Sequence, residues 1–260
     1  MKIIVPLKQI LSPAGLTINR KAGKVFVNKE EYVLNPASKR ALEAALRIKD
    51  SAGAEVIAVT FGPARAEECL REARATGADR AIFVPTGPID SAGVVCALVA
   101  LIHHLGGVDL VINGHRTLDT GVSSGAALAE ALGWPYLGEA VECSVADPVV
   151  RIVRMGDGQG GPGGRPDQGE GKPHPYEAYE ADLPAVITVT RAGPAPRHPH
   201  GGNIIAMYRD PGAVETIPIS DLGLTDSDMA TVTAERGQSF PPEREFGKQA
   251  AVEDVAAVIR

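Results

Sequence analysis

Through the first half of the chain, short apolar runs alternate with longer stretches in which apolar residues recur every three and four positions. The short runs predict strands at residues 2–7, 55–60, 80–85 and 108–113. The longer ones predict crossover helices at 37–50, 64–76 and 90–105, with Leu42, Ala45 and Leu46, then Leu70 and Ala73, on their inner faces. Gly53, Gly77 and Gly106 follow these helical patterns, where a residue of positive φ can end a helix without a Cβ clash. Strand and helix in regular alternation predict an α/β fold, a mostly parallel Rossmann-like sheet with helices on both faces.

Three segments depart from the alternation. LTINRKAGKVFVNKEEYVL (16–34) reads as a hairpin turning at 21–23, inserted between the first strand and the first helix. After a helix expected at about 123–132, LGEAVECSV, PVVRIVRM and YEAYEADLPAVITVT predict a strand-rich, antiparallel region. Between the last two of these, GDGQGGPGGRPDQGEGKPHP (156–175) is almost entirely Gly, Pro, Gln and charge, which predicts a long flexible hairpin loop. A phosphate-binding glycine loop there would need a strand before it and a helix after it, and no helical pattern follows. Beyond Asn203 the chain is punctuated by Pro and Gly and ends in AAVEDVAAVIR, an amphipathic helix expected to dock on a partner. The predicted organisation is an α/β nucleotide-binding domain at 1–205, carrying the 156–175 insertion, and an extended arm with its helix at 206–260.

Composition narrows the function. The 260 residues carry 26 basic and 32 acidic side chains, a formal net charge of −6, which argues against a nucleic-acid binder. Apolar residues make up 44% and aromatics only 4%, so a core of Ala, Val, Ile and Leu is expected. The longest apolar stretch, 92–102, is about half of the ~20 residues a membrane span needs. The opening MKIIVPLKQ has no signal-peptide pattern, and a cytoplasmic protein is expected. Cys69, Cys96 and Cys143, odd in number and widely spaced, read as buried thiols.

In an open parallel sheet, ligands collect where the strands end, so the chemistry is sought just after each strand. Those segments are Pro6-Leu7-Lys8, Phe61-Gly62-Pro63 and GHRTLDTGVSSG (114–125), with Asn35-Pro36-Ala37-Ser38 opening the first helix. In the third, the hydroxyls of Thr120, Ser123 and Ser124 lie beside glycines at a helix start. That pattern suits a phosphate, and equally suits capping by Thr120 or Ser123. NPAS likewise makes a good helix start, with Asn35 as cap and Pro36 in the first turn. GxxxxGK[ST] and HExxH are absent, which excludes their chemistries as local motifs. His103 and His104 fall in an apolar helix, His115 and Arg116 follow a strand, and His198 and His200 lie among prolines and glycines without carboxylate or cysteine neighbours.

An ordered series of segments resembles the beta subunit of electron-transfer flavoproteins. They are IIVPLKQ (3–9), NPASKRALEAALRIK (35–49), EVIAVTFGPARAEECLREARATGADRAI (55–82), DLVINGHRTLDTGVSSG (109–125), LGWPYLGEA (132–140), EAYEADLPAVITVT (177–190) and PRHPHGGNI (196–204). The resemblance implies a heterodimer in which an alpha subunit carries a redox-active FAD and this chain binds an adenine nucleotide. That nucleotide is AMP in most members, and a second FAD in electron-bifurcating ones. It places the adenine side against the Pro6 backbone, Asn35, Pro36, Ala37, Ser38 and Phe61. The phosphate falls at Val122, Ser123, Ser124 and Gly125, with Asp119, Thr120 and Gly121 in the same nucleotide-binding loop. The 8–13 segment would approach the alpha-subunit flavin, and the last helix would reach the partner.

This sequence departs from the family form in three places. Its 114–125 loop is one residue shorter and lacks the usual acidic and Asn-Gln-Thr elements, the 156–175 insertion is longer, and Gly193 stands where many members put an apolar anchor in the loop that docks dehydrogenases. The expected function is an electron carrier between flavin dehydrogenases and a downstream acceptor such as a quinone oxidoreductase, with a free-standing adenine-nucleotide-binding protein as the rival.

Overall fold

The computed structural model describes residues 1–121, 123–146, 148–156, 176–225, 227–229, 231 and 233. Val122, nearly all of the expected 156–175 loop and the expected C-terminal helix at 250–260 lie outside the described residues. In chain order the strands are β1 (Lys2–Pro6), β2 (Gln9–Leu11), β3 (Leu16–Asn19), β4 (Lys24–Val27), β5 (Tyr32–Leu34), β6 (Glu55–Gly62), β7 (Arg80–Pro85), β8 (Leu110–Gly114), β9 (Tyr136–Ala146), β10 (Val149–Met155), β11 (Tyr176–Asp182), β12 (Ala185–Val189) and β13 (Glu215–Thr216). The helices are α1 (Pro36–Ala52), α2 (Glu67–Thr76), α3 (Ser91–Leu105), α4 (Gly125–Leu132) and α5 (Gly201–Arg209).

Nine strands form one sheet in the order β11-β10-β9-β12-β8-β1-β6-β7-β13. The run from β9 through β12, β8, β1, β6 and β7 to β13 is parallel, and β9-β10-β11 is antiparallel. From β1 the chain steps outward to β6 and β7, then returns to the other side of β1 as β8. The direction of winding therefore reverses between β1 and β8, the position where open α/β sheets bind ligands. The β1–β6 ladder runs five pairs, to Pro6 opposite Val59. Between β1 and β8 only Ile3–Leu110 and Ile4–Val111 pair, so these strands part toward their carboxyl ends.

Both faces of the sheet are covered. Ile3, Val5 and Leu7 pack with α1 and α2 through Leu42, Leu46, Ile48 and Leu70, while Ile4, Ile57 and Val111 pack with α3 and α4 through Leu98, Leu101 and Leu128. Alternate residues of a strand face opposite ways, so two core layers share one set of strands. The core is dominated by Ala, Val, Ile and Leu, as the aromatic-poor composition requires, with Phe83 as its one buried aromatic among the described residues. Gly53 closes α1 at φ 72°, its N–H returning to the Lys49 carbonyl. Gly77 and Gly106 end α2 and α3 in the same way. All three cysteines are free thiols, with Cys69 buried and Cys96 and Cys143 half-buried.

The structure corrects several expectations. The inserted hairpin is shorter than 16–34: β3 and β4 pair from Leu16–Val27 to Asn19–Lys24, whereas Tyr32–Leu34 pairs with Gln9–Leu11 as a separate two-stranded sheet. Residues 13–29 fall outside the compact unit that carries the sheet. The LPAVITVT segment is not antiparallel; it is β12, buried throughout and parallel to both β8 and β9. A fully buried run of this kind suits the interior of a parallel sheet. The glycines and prolines after Pro196 concealed α5, which begins at two glycines, is capped by the His200 ring accepting from Gly202 N at 3.2 Å, and buries no residue. β13 then adds an edge strand beside β7.

Candidate functional site

A cavity of about 420 Å3 opens at the carboxyl ends of β1, β6 and β8, a size typical of small-molecule sites. Pro6, Phe61 and Val94 supply apolar wall, and Lys8, Ser38, Thr117, Thr120 and Ser124 supply polar rim. Beyond Pro6 the chain stays tied to β6, with Leu7 N donating to Val59 O (2.7 Å) and Thr60 Oγ1 donating to Leu7 O (2.8 Å). These bonds fix the Pro6 and Lys8 side of the opening.

The opposite wall depends on two close approaches. A Cβ built on Gly114 would lie 2.7 Å from the Ala37 carbonyl carbon and 2.8 Å from Ser38 N, so only glycine lets the end of β8 touch the start of α1. A Cβ on Gly125 would lie 2.4 Å from Thr188 Cγ2 and 3.2 Å from the Tyr136 ring. Glycine there lets the first turn of α4 sit down on β12. Both positions bring a helix start to the rim of the cavity, where unpaired N–H groups and the positive helix end favour an anion.

Neither expected cap is made by a side chain. Asn35, fully buried, does not cap α1; its amide donates to Arg116 O (3.3 Å) and Ser38 Oγ (3.5 Å) and accepts from Leu118 N (3.3 Å). It ties the 114–120 loop to α1 instead. At α4 the cap position is Ser124, whose side chain makes no cap hydrogen bond, and Ser123 Oγ is buried without a partner among the described residues. Thr120 is engaged with Thr117, Oγ1 to Oγ1 at 2.6 Å. The first turn of α4 is therefore uncapped by any described side chain, and Ser124 at its start lines the cavity, an arrangement compatible with an anion there.

Lys8 Nζ lies 2.7 Å from Asp119 Oδ2 across the mouth. Burial works to raise the Asp119 carboxyl, but hydrogen bonds from Lys8, Thr117 and the Thr120 N–H outweigh it and hold it below the usual carboxylate range. Beside the loop, His115 is pushed below its ordinary value by burial, against the pull of Glu139 at 3.1 Å. On the far wall Asp90 Oδ1 caps α3 by accepting from Ala92 N (3.0 Å) and Gly93 N (3.1 Å), and its Oδ2 accepts from Thr233 N and Oγ1, both at 3.1 Å.

Of the residues the sequence singled out, Pro6, Ser38, Phe61, Thr120 and Ser124 line this cavity. Asn35, Pro36 and Ala37 lie behind the wall; Asp119, Gly121, Ser123 and Gly125 belong to the loop and helix start without lining the cavity, and Val122 lies outside the described residues. Sequence reasoning missed Asn113, which lines the cavity, is 4% exposed, and leaves both Oδ1 and Nδ2 without a partner among the described residues. The signal was an amide near the end of an otherwise apolar strand, LVING. Gly193, in the loop after β12, is buried with no room for a Cβ, which would lie 2.4 Å from Val189 Cγ1; an apolar anchor does not fit there in this conformation.

Comparison with known proteins gives a consistent picture. The family model described as Electron transfer flavoprotein domain matches residues 23–161. The chain is 32% identical over 217 residues to the Caffeyl-CoA reductase-Etf complex subunit CarD of Acetobacterium woodii, covering 81% of this chain and 76% of that one. It is 27% identical over 269 residues to the human Electron transfer flavoprotein subunit beta, covering 100% and 97%. The Bacillus subtilis protein of the same name is 25% identical over 232 residues, covering 88% and 83%.

Proposed function

As this chain belongs to the electron transfer flavoprotein family and is similar to its beta subunits, we propose that it is the beta subunit of a heterodimeric electron carrier, with AMP in the cavity at the ends of β1, β6 and β8 and an FAD held mainly by an alpha subunit. The observation that carries the nucleotide is the start of α4, uncapped by any described side chain, with its cap residue Ser124 lining a cavity of about 420 Å3 that has apolar walls. In this reading the α4 amides and the Ser124 hydroxyl hold the phosphate. Pro6 and Phe61 flank the base, and the start of α1 at Ser38 closes the far side.

The flavin supplies the electron-transfer chemistry, and the protein sets its orientation and surroundings. The contribution of this chain is then to bind and shield. β2, paired with β5, lies just after Lys8, and the Gln9 amide donates to Arg65 O (3.0 Å) while the Arg65 guanidinium stacks on Tyr32, 4.3 Å from the ring centroid. That anchoring suits the 8–13 segment to lie against the alpha-subunit flavin, with a flavin dehydrogenase or quinone oxidoreductase binding transiently. Purifying the chain with its alpha-type partner under flavin-replete conditions is expected to give a yellow complex whose visible spectrum bleaches on reduction; a colourless, redox-inert complex would contradict the reading.

A further inference from the structure

We propose that Asn113 is a specificity residue of the cavity, bridging the sugar and the phosphate of the bound nucleotide through its two amide atoms. The inference rests on the nucleotide reading above and adds a residue and a selectivity to it. Asn113 is the penultimate residue of β8, whose preceding residues Leu110, Val111 and Ile112 are fully buried. It lies two residues after Val111 and so shares the face of α3 and α4. A buried amide with no partner is unfavourable, and an apolar side chain would serve the strand as well if packing were its only task.

The surroundings indicate which ligand groups would face it. The Cβ position of Gly125 lies 3.8 Å from Asn113 Nδ2, so the amide lies beside the start of α4, whose first turn no described side chain caps. A phosphate drawn to that turn accepts from Nδ2, but a phosphate oxygen offers nothing to Oδ1, which needs a donor. A sugar hydroxyl beside the phosphate supplies one. The cavity's lysine, Lys8, is already held by Asp119 at 2.7 Å, so discrimination between a nucleotide and a bare phosphate falls to the other polar lining groups; of the two buried neutral ones, Ser38 already accepts from the Asn35 amide, and Asn113 has no partner among the described residues.

The test uses the chain in complex with its alpha-type partner, emptied of nucleotide and titrated with AMP by calorimetry, with inorganic phosphate as the comparison probe. The wild-type complex is expected to bind AMP far more tightly than phosphate. Asn113→Leu removes both amide atoms and is expected to weaken AMP about tenfold or more and inorganic phosphate less, since bare phosphate loses only the Nδ2 bond, while the melting temperature of the empty complex stays nearly unchanged. Asn113→Asp, of the same size, is expected to weaken AMP further at about pH 8, because a carboxylate faces the phosphate. A folded Asn113→Leu complex that binds AMP within about twofold of wild type overturns the proposal, and if that variant fails to fold, the same result with Asn113→Asp does so. A wild-type complex that binds no AMP overturns the nucleotide reading itself, and this inference with it.

Discussion

At Gly114 and Gly125 the fold depends on the absence of one carbon atom. Adding it at Gly125 places a methyl 2.4 Å from Thr188 Cγ2, so Gly125→Ala must push α4 off β12. We expect a loss of about 1–3 kcal/mol, read as a lower urea midpoint, together with weaker AMP binding because the helix start has moved. A different residue, Glu43 on α1, is 4% exposed and takes Arg197 N (3.1 Å), Arg197 Nε (2.9 Å) and Arg47 Nε (3.0 Å). Burial pushes its carboxyl up, but the bonds from Arg197 and Arg47 prevail and hold it below the usual value. Its ionised form is thus favoured in the folded state, so its stabilisation is complete above the ordinary carboxylate range and fades as pH falls through the depressed value. Glu43→Gln should lower the melting temperature at neutral pH and flatten this part of the acid profile. Rules about strand ends pointed to Pro6, Phe61 and the 114–125 loop, which the fold gathers at one opening. The lone amide of an apolar strand was the one cue to Asn113, and nothing local foretold that Lys8 meets Asp119, a contact between residues far apart in the chain.

Among the elements, α2 offers a direct check on the packing. Cys69 on its inner face is 2% exposed, and burial, with Glu72 and Glu68 adding to it, pushes the thiol up to about 12. A thiol reagent at about pH 8 should leave Cys69 unlabelled in the native protein and label it once denaturant unfolds the chain; rapid native labelling would refute this packing. The alternation of strand and helix from β1 to α4 was legible because each of these elements buries one face and carries its own period. Register and direction were not: β12 reads locally like any apolar strand, and only its neighbours β8 and β9 make it parallel. The helix α5 escaped for another reason. It buries nothing and holds to α2 through Arg71, which donates to the Met207 and Asp210 carbonyls, and through Asn203, which donates to Ala75 O, bonds invisible to a hydrophobic pattern.

In the whole molecule, the winding of the sheet reverses between β1 and β8, no described side chain caps the start of α4, and the chain belongs to the electron transfer flavoprotein family. No helix among the described residues is long and apolar enough to cross a membrane. A ligand bound only by the folded state stabilises it by mass action, about 2.7 kcal/mol at a hundred times its dissociation constant. Added AMP should therefore raise the melting temperature of the emptied complex in a concentration-dependent way, and adenosine, which lacks the phosphate, should do so much less. The most direct measurement is mass spectrometry of the small molecules released from the intact complex with its alpha-type partner. The account predicts one AMP and one FAD for each pair of subunits. Release of FAD alone, in an amount matching the alpha-type subunit, with no further adenine nucleotide, would contradict it.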